Sequence, residues 1–258
     1  VFYNGKGLCL GFAELFATLC RHSGIDARVI VGYAKGANYD DNAKFAAPNH
    51  AWNSVKVNGK WRLLDVAWAS SLRLSIEEQF DNLPDNEFTD RYLLDYFMVS
   101  PTEFIKTHLP EDPFWQLIGE PVKLSTFEAG EAAIIGYINN APGAHITFEH
   151  LIAGHEDLDS LDRTICYYER MIENNCNQDR EFALGLAYFY KAQMVMDQLA
   201  DLESTEKQLA AKRAGVYYGK ALQLLEIVEP SSPYFDNGSL ICNNIRLKVE
   251  SLGGAVYF

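Results

Sequence analysis

A two-residue turn, Asn58-Gly59, separates two strand-like runs at 51–57 and 60–67, and it limits how these runs can pair. Both residues of such a turn adopt positive φ, which asparagine and glycine tolerate best, and a turn of this length sets the strand register. Residue 57 must then pair with residue 60. The sequence therefore predicts an antiparallel hairpin with a defined register.

This register brings His50 and Asp65 to the same face of the hairpin. Trp52 lies opposite Asp65 and His50 lies opposite Ala67, so His50 and Asp65 occupy diagonal positions, with Cβ atoms about 7–8 Å apart or less. A carboxylate one position earlier or later would point to the other face. Asp65 also lies in an apolar run, where an ionised carboxylate needs a partner. The pattern predicts that Asp65 orients the His50 imidazole and stabilises its protonated form.

Cys9 begins a predicted helix. The apolar residues of 9–20 follow helical spacing, with Gly7 before the helix and Gly24 after it. The N–H groups and the dipole at a helix N-terminus favour a thiolate, and the Cys9 backbone N–H there can donate to an oxyanion. Each of Cys9, His50 and Asp65 alone is more typical of a structural residue. Their combination predicts a catalytic triad with a cysteine nucleophile.

The remaining sequence up to about residue 124 predicts mixed structure. The run Ala27 to Ala34 is short and β-branched, which is typical of a buried strand. The polar, turn-rich segment 35–48 indicates a surface loop. The segment 70–113 contains many proline and aspartate residues and predicts short elements and loops around the first unit.

Beyond residue 124, long helical patterns replace the alternation that is typical of strands. Helices are predicted at 125–140, 158–174, 179–203, 206–228 and 239–252. Ser125, Asp157 and Asp179 are the predicted N-caps. The sequence thus predicts an α+β core at 1–124, followed by an all-α domain at 125–258.

Two of these helices resemble tetratricopeptide repeats. The matching positions are Leu184-Gly185, Tyr188, Ala214, Tyr218, Ala221 and Pro230. The spacing from Gly185 to Ala214 is much longer than the dozen or so residues that a regular repeat has there. The helical domain is therefore predicted to be TPR-like, and a generic antiparallel helix pair is the alternative.

Composition excludes several classes of function. The chain has 22 Lys and Arg against 35 Asp and Glu, a net charge of −13, and such a surface repels a phosphate backbone. We therefore expect no nucleic-acid partner, and no apolar run approaches the roughly 18 residues of a membrane span. The five cysteines lack zinc-site spacing, and the acidic residues are typical of a solvated surface, so no metal or other cofactor is expected.

Five blocks of the sequence resemble the core of the transglutaminase-like superfamily, and most of all its kyphoscoliosis-peptidase-type branch of papain-like cysteine peptidases. The resemblance covers roughly 1–127 and does not reach the helical half. The blocks are 7–13 (GLCLGFA), 24–36 (GIDARVIVGYAKG), 49–53 (NHAWN), 61–68 (WRLLDVAW) and 107–117 (THLPEDPFWQL).

The resemblance implies a papain-like core in which a helix-borne cysteine packs on an antiparallel sheet. It implies Cys9 as the nucleophile that forms a thioester, His50 as general base and acid, and Asp65 as the residue that orients His50. Trp52 and Tyr33 are assigned to substrate binding or to the wall of the site, with core packing as the alternative for Trp52. His108 is interpreted as structural.

Family cores begin some tens of residues before the cysteine, so we expect the first domain to be incomplete at its N-terminus. The compartment cannot be assigned from the residues, and the resemblance favours an extracytoplasmic location over a cytoplasmic one.

The triad residues alone do not separate hydrolysis from transfer to an amine, because both begin with the same thioester. The resemblance favours peptidase-like hydrolysis of a protein or peptide substrate. The alternative is a catalytically inactive module that binds proteins. In either case the helical domain offers a surface for a protein partner, and delivery of the enzyme to a cell wall is a further alternative.

Overall fold

The computed structural model describes residues 7–36, 39–40, 44–70, 96–141 and 148–251. The chain forms two compact units, Val1–Ala153 and Gly154–Phe258. None of the described helices is long and apolar enough to cross a membrane. The division between the compact units lies after the change of pattern at residue 124, because the first helices beyond 124 pack with residues of the sheet. The assignment of functional domains to 1–124 and 125–258 stays a prediction.

The first unit combines an antiparallel sheet with short helices. Its strands are β1 (Ala27–Ala34), β2 (His50–Val57), β3 (Lys60–Leu64), β4 (Phe97–Val99) and β5 (His108–Pro110), in the spatial order β4-β3-β2-β1-β5. Its described helices are α1 (Cys9–His22), α2 (Pro101–Phe104), α3 (Leu124–Glu128) and α4 (Glu131–Asn140), and α5 (Phe148–Glu156) begins within it. An α+β core followed by a mostly helical part is confirmed.

The central hairpin has the predicted register. Val57 pairs with Lys60 and Asn53 pairs with Leu64, while Asn58 and Gly59 have φ of 51° and 76°. The strand prediction for 60–67 was wrong at its end. The strand stops at Leu64, and residues 66–70 are helical because the chain turns away from the sheet at Asp65.

The helix α1 packs along β2 on one face of the sheet. The Asn53 side chain donates a hydrogen bond to the Ala13 carbonyl at 2.9 Å, and Ala17, one turn later, lies in a buried cluster with Val55. One helical turn and two strand residues both advance by about 6 Å, so α1 and β2 run in the same direction.

The opposite face of the sheet carries a second cluster. Trp52, Ile30, Leu63 and Phe104 are buried in it. This face also carries His50, because alternate residues of a strand share a face. The segment 71–95, part of the predicted stretch of short elements, lies outside the described residues.

The second unit is helical. After the end of α5 it contains α6 (Ser160–Asn174), α7 (Gln178–Asp197), a 3₁₀ turn at Gln198–Asp201, α8 (Ser204–Leu225) and α9 (Phe235–Ser251). The predicted tetratricopeptide-like positions Leu184, Tyr188, Ala214, Tyr218 and Ala221 are all buried in its core. The repeat character itself stays a prediction.

Several predicted helix starts were wrong by a few residues. Side-chain N-caps are supplied by Asp159 and Asn177 rather than by Asp157 and Asp179, since their oxygens accept the first free N–H groups of the helices. The helix predicted at 125–140 is broken into α3 and α4 by Gly130, whose φ is 101°. The helix α5 was not predicted.

Candidate active site

His50 is the first residue of β2, and its neighbour Asn49 anchors it to β1. The Asn49 side chain accepts a hydrogen bond from the Ala34 N–H at 2.7 Å and donates one to the Ala34 carbonyl at 3.0 Å. The Asn49 N–H donates to the Gly32 carbonyl at 2.9 Å. The backbone that leads into His50 is therefore held by three hydrogen bonds to one neighbouring strand.

Asp65 lies where β3 ends and the helical segment at 66–70 begins. Its Oδ1 accepts the Trp68 N–H at 3.0 Å, as an N-cap does. Its Oδ2 lies 2.6 Å from His50 Nε2, so the contact predicted between these two side chains is present. Because an ionised carboxylate only accepts hydrogen bonds, the proton of the neutral His50 ring is on Nε2. The Nδ1 atom can then accept a proton from another group.

A second imidazole shares the same carboxylate oxygen. His108, on β5, has its Nε2 3.1 Å from Asp65 Oδ2 and its Nδ1 2.8 Å from the Thr107 hydroxyl. From the sequence, His108 was interpreted as structural because it lies in a proline-flanked loop, and 43 residues separate it from Asp65. The sequence signal that includes His108 is the block THLP at 107–110, which belongs to the family resemblance. This block does not indicate which side chain His108 contacts.

The electrostatics of the cluster follow from its burial. Burial by itself raises the pKa of Asp65, but the hydrogen bonds from His108 and His50 outweigh that effect and hold it at about 2. Burial lowers the pKa of His108 from its ordinary value, although the hydrogen bond to Asp65 acts in the opposite direction. At neutral pH the cluster therefore contains an ionised Asp65 and a neutral His108.

Aromatic rings enclose the two imidazoles. Trp68 lies 5.0 Å from His50 and 4.4 Å from His108 between ring centroids, and Phe104 stacks on His108 at 4.2 Å. Trp52 is fully buried, 6.1 Å from His50 and 5.1 Å from His108. Its Nε1 has no hydrogen-bond partner among the described residues. The rings exclude water and keep the local dielectric low.

Cys9 is the first residue of α1, and Leu8 precedes it without a capping side-chain hydrogen bond. Since α1 and β2 run in the same direction, Cys9 lies toward the end of the sheet at which β2 begins with His50. In the described residues the metal-ligand atoms of His50, Asp65 and His108 lie within 4.8 Å of one another, and the Cys9 sulfur is not part of that group. Convergence of the sulfur with His50 stays a prediction.

Tyr33 is buried in a different cluster. It packs with Ile105, Leu109 and Phe127, and its ring lies 5.3 Å from that of Phe45. Its assignment to the wall of the site stays a prediction, as does that of Trp52.

The three clustered side chains are also the donor types that bind zinc. Two ligands of one tetrahedral zinc lie about 3.3 Å apart when each bond is 2.0–2.1 Å. The 2.6 Å separation between His50 Nε2 and Asp65 Oδ2 is shorter and fits a shared proton better.

Comparison with known proteins agrees with the motifs. Residues 1–66 match the family model described as the transglutaminase-like superfamily. The resemblance predicted for the N-terminal part of the chain is thereby confirmed.

Individual relatives match a similar region. The chain is 38% identical to kyphoscoliosis peptidase of Homo sapiens over 124 residues, which is 48% of this chain and 18% of that protein. It is 34% identical to hillarin of Drosophila melanogaster, over 44% of this chain and 14% of that protein. Cytokinesis protein 3 of Schizosaccharomyces pombe is 30% identical, over 46% of this chain and 12% of that protein. The chain thus spans less than a fifth of the length of these curated relatives.

Proposed function

We propose that the N-terminal unit is a cysteine enzyme that acts on protein amide bonds through Cys9, His50 and Asp65. The observation that carries the proposal is the buried 2.6 Å contact between His50 Nε2 and Asp65 Oδ2. This contact fixes the imidazole so that Nδ1 is the nitrogen available to a thiol. A carboxylate in this position also stabilises the imidazolium that forms when the thiol loses its proton.

The proposed reaction has two stages. In the first, His50 Nδ1 takes the proton of the Cys9 thiol, and the sulfur attacks the amide carbonyl carbon. The C–N bond then breaks, His50 returns the proton to the leaving amine, and a thioester remains on Cys9. In the second stage, water loses a proton to His50 and attacks the thioester, which releases the acid and restores the thiol.

The start of α1 supplies a candidate site for the oxyanion. The first N–H groups of a helix have no partner within the helix, and the Leu8 position offers no side-chain cap to occupy them. Backbone donors of this kind stabilise the negative charge that develops on the carbonyl oxygen. We assign this role to the Cys9 N–H.

Hydrolysis is preferred over transfer to an amine because the human relative is named a peptidase. The substrate is proposed to be a protein or peptide. The helical part, predicted from the sequence as the domain 125–258, is proposed to bind a protein partner. Its described surface exposes large apolar side chains. Among them are Leu209, Leu240 and Leu247, whose exposed fractions are 63%, 69% and 69%.

The test compares wild type with Cys9→Ala in two assays, cleavage of casein and incorporation of a labelled amine into it. Cys176→Ala is the matched control, because Cys176 is an exposed, free cysteine of the helical unit. The proposal predicts that Cys9→Ala abolishes casein cleavage and that Cys176→Ala retains it. Amine incorporation without cleavage would identify a transferase. Equal behaviour of wild type and Cys9→Ala would favour the inactive, protein-binding module.

A further inference from the structure

We propose that His108 is a positioning residue of this site. Its Nε2–H holds Asp65 Oδ2 at the point where that oxygen accepts the hydrogen bond from His50. The relevant contacts form a row, from the Thr107 hydroxyl through His108 and Asp65 to His50, with distances of 2.8, 3.1 and 2.6 Å. The catalytic meaning of this row rests on the proposed function, whereas the positioning itself can be tested without turnover.

The proton positions along the row follow from what each atom can do. Asp65 Oδ2 accepts only, so both imidazoles carry a proton on Nε2. In a neutral His108 the Nδ1 atom is then an acceptor, and the Thr107 hydroxyl is the donor 2.8 Å away. The same hydroxyl lies 3.5 Å from the Phe104 carbonyl, a longer and weaker alternative. Asp65 therefore fixes the His108 tautomer, and the Thr107 hydroxyl satisfies the Nδ1 atom of that tautomer as its hydrogen-bond donor.

Burial makes His108 a neutral donor. Its side chain and that of Asp65 are both fully buried, whereas the His50 side chain is 9% exposed. The rings of His50 and His108 are 5.7 Å apart, so a positive charge on one opposes a positive charge on the other. A neutral His108 leaves Asp65 as a counter-charge for His50 alone, which is the residue that must become charged during the reaction.

The carboxylate is held from three directions. Oδ1 accepts from the Trp68 N–H, and Oδ2 accepts from the two imidazoles. Without His108, the only hydrogen bond to Oδ2 from the described residues would come from His50, which is the side chain that Asp65 has to orient. His108 is itself fixed, because Phe104 stacks on its ring and the Thr107 hydroxyl binds its Nδ1.

The topology explains how two distant strands reach one carboxylate. His50 pairs with Gly32 and His108 pairs with Ala34, so both histidines lie on the same face of the sheet on either side of β1. The β1 residues that pair with the two histidines, Gly32 and Ala34, are both small. The two imidazoles therefore meet above β1.

The test replaces His108 with Phe, which fills the space without a donor, and with Gln, which keeps a neutral N–H donor. Thr107→Val removes the hydroxyl that donates to His108 Nδ1. The primary readout is the NMR resonance of the His50 Nε2–H proton in the resting protein, assigned by its loss in His50→Gln. We expect His108→Phe and Thr107→Val to shift this resonance or to accelerate its exchange with water by about tenfold or more. His108→Gln is expected to change it less.

A second readout is the rate of Cys9 alkylation by iodoacetamide as a function of pH. We expect His108→Phe to lower the rate at pH 7 about ten- to a hundredfold and to move the midpoint of the profile, because misplacement of an orienting group has effects of this size. His22→Gln, an exposed histidine of α1, is the matched control and should match wild type. Circular dichroism establishes that each variant is folded.

The outcomes separate the two proposals. An unchanged His50 resonance in folded His108→Phe would overturn the positioning role, whatever the activity. A changed resonance in a protein whose wild type cleaves no substrate would support positioning and contradict the proposed function. If His108→Phe does not fold, Thr107→Val decides, because loss of one hydroxyl leaves the packing of His108 in place.

Discussion

Gly32 and Trp52 lie on adjacent strands so close together that no side chain fits at position 32. A Cβ atom on Gly32 would lie 2.6 Å from Trp52 Cη2, and it would also lie 2.2 Å from the Leu109 carbonyl oxygen. Trp52 is fully buried next to the histidine pair. The absence of a side chain at Gly32 thus allows the indole, β5 and the two imidazoles to pack together.

Gly32→Ala is therefore expected to destabilise the protein by about 3 kcal/mol, because the added methyl group meets backbone atoms that cannot move independently. The control is Gly136→Ala in α4, where a Cβ would meet nothing within 4 Å. Removing a glycine from that helix should stabilise the protein by about 0.5–1 kcal/mol. Urea unfolding measures both variants. Equal stability of Gly32→Ala and wild type would contradict the close packing of Trp52.

Asp65→Asn is expected to lower casein cleavage by about 10²–10⁴-fold, because the amide leaves the His50 tautomer unfixed. The chain should still fold, since Asn has the same size and its oxygen can accept the Trp68 N–H. Cleavage rate and circular dichroism are measured together. Asp112→Asn, at the cap of the 3₁₀ turn Pro113–Gln116, is a control that changes a capping carboxylate outside the cluster. Full activity of Asp65→Asn would exclude the triad.

Acid should destabilise the protein in two ranges of pH. The pKa of His108 is lowered from 6.5 in the folded state. As the pH falls, His108 therefore takes up a proton in the unfolded chain before it does so in the folded protein. The free energy of unfolding thus decreases as the pH drops below about 6.5. The pKa of Asp65 is lowered from 3.8 to about 2, so its contribution, roughly 2 kcal/mol, is present above 3.8 and is lost as pH falls toward 2.

Unfolding by urea between pH 2 and pH 8 measures the loss of stability in both ranges. His108→Phe removes the group responsible for the first range, so its stability should change less than that of wild type between pH 7 and pH 5. A wild-type protein that gains stability over that interval would contradict a buried, neutral His108.

Iodoacetamide at pH 7 is expected to label Cys9 before the other four cysteines. Burial raises the pKa of Cys20, Cys166 and Cys242, and burial together with the hydrogen bond to Glu181 raises that of Cys176. Because the thiolate is the reactive form, these thiols react slowly. Peptide mass spectrometry gives the order of labelling. Glu181→Gln should accelerate the labelling of Cys176 and leave that of Cys9 unchanged.

In the helical unit, Gly185 lies against Leu225 of the adjacent helix α8. A Cβ on Gly185 would be 2.8 Å from both Cγ and Cδ2 of Leu225. Gly185→Ala should destabilise the unit by about 1–3 kcal/mol. The control is Gly154→Ala in α5, where a Cβ meets nothing within 4 Å. In thermal unfolding, Leu225→Ala should cost less in the Gly185→Ala background than in wild type. Equal costs would show that the two residues do not interact.

Local signals predicted the elements that depend on local chemistry. The Asn58-Gly59 turn, the strand Ala27–Ala34 and the start of α1 at Cys9 were all predicted, since turn residues and apolar spacing act over a few positions. The end of β3 was not. Asp65 was expected to continue the strand, but its side chain caps the helical segment that follows it.

The sequence by itself determined the hairpin register, and with it the prediction that His50 and Asp65 lie on the same face, because a two-residue turn leaves one alignment of its strands. It also determined the resemblance to the transglutaminase-like superfamily in the first part of the chain. Only the tertiary structure decided that His108 shares the Asp65 carboxylate. That contact depends on how β5 is added to the far side of β1 and on how small the residues of β1 are, and long-range packing of this kind leaves no periodic signal in the chain.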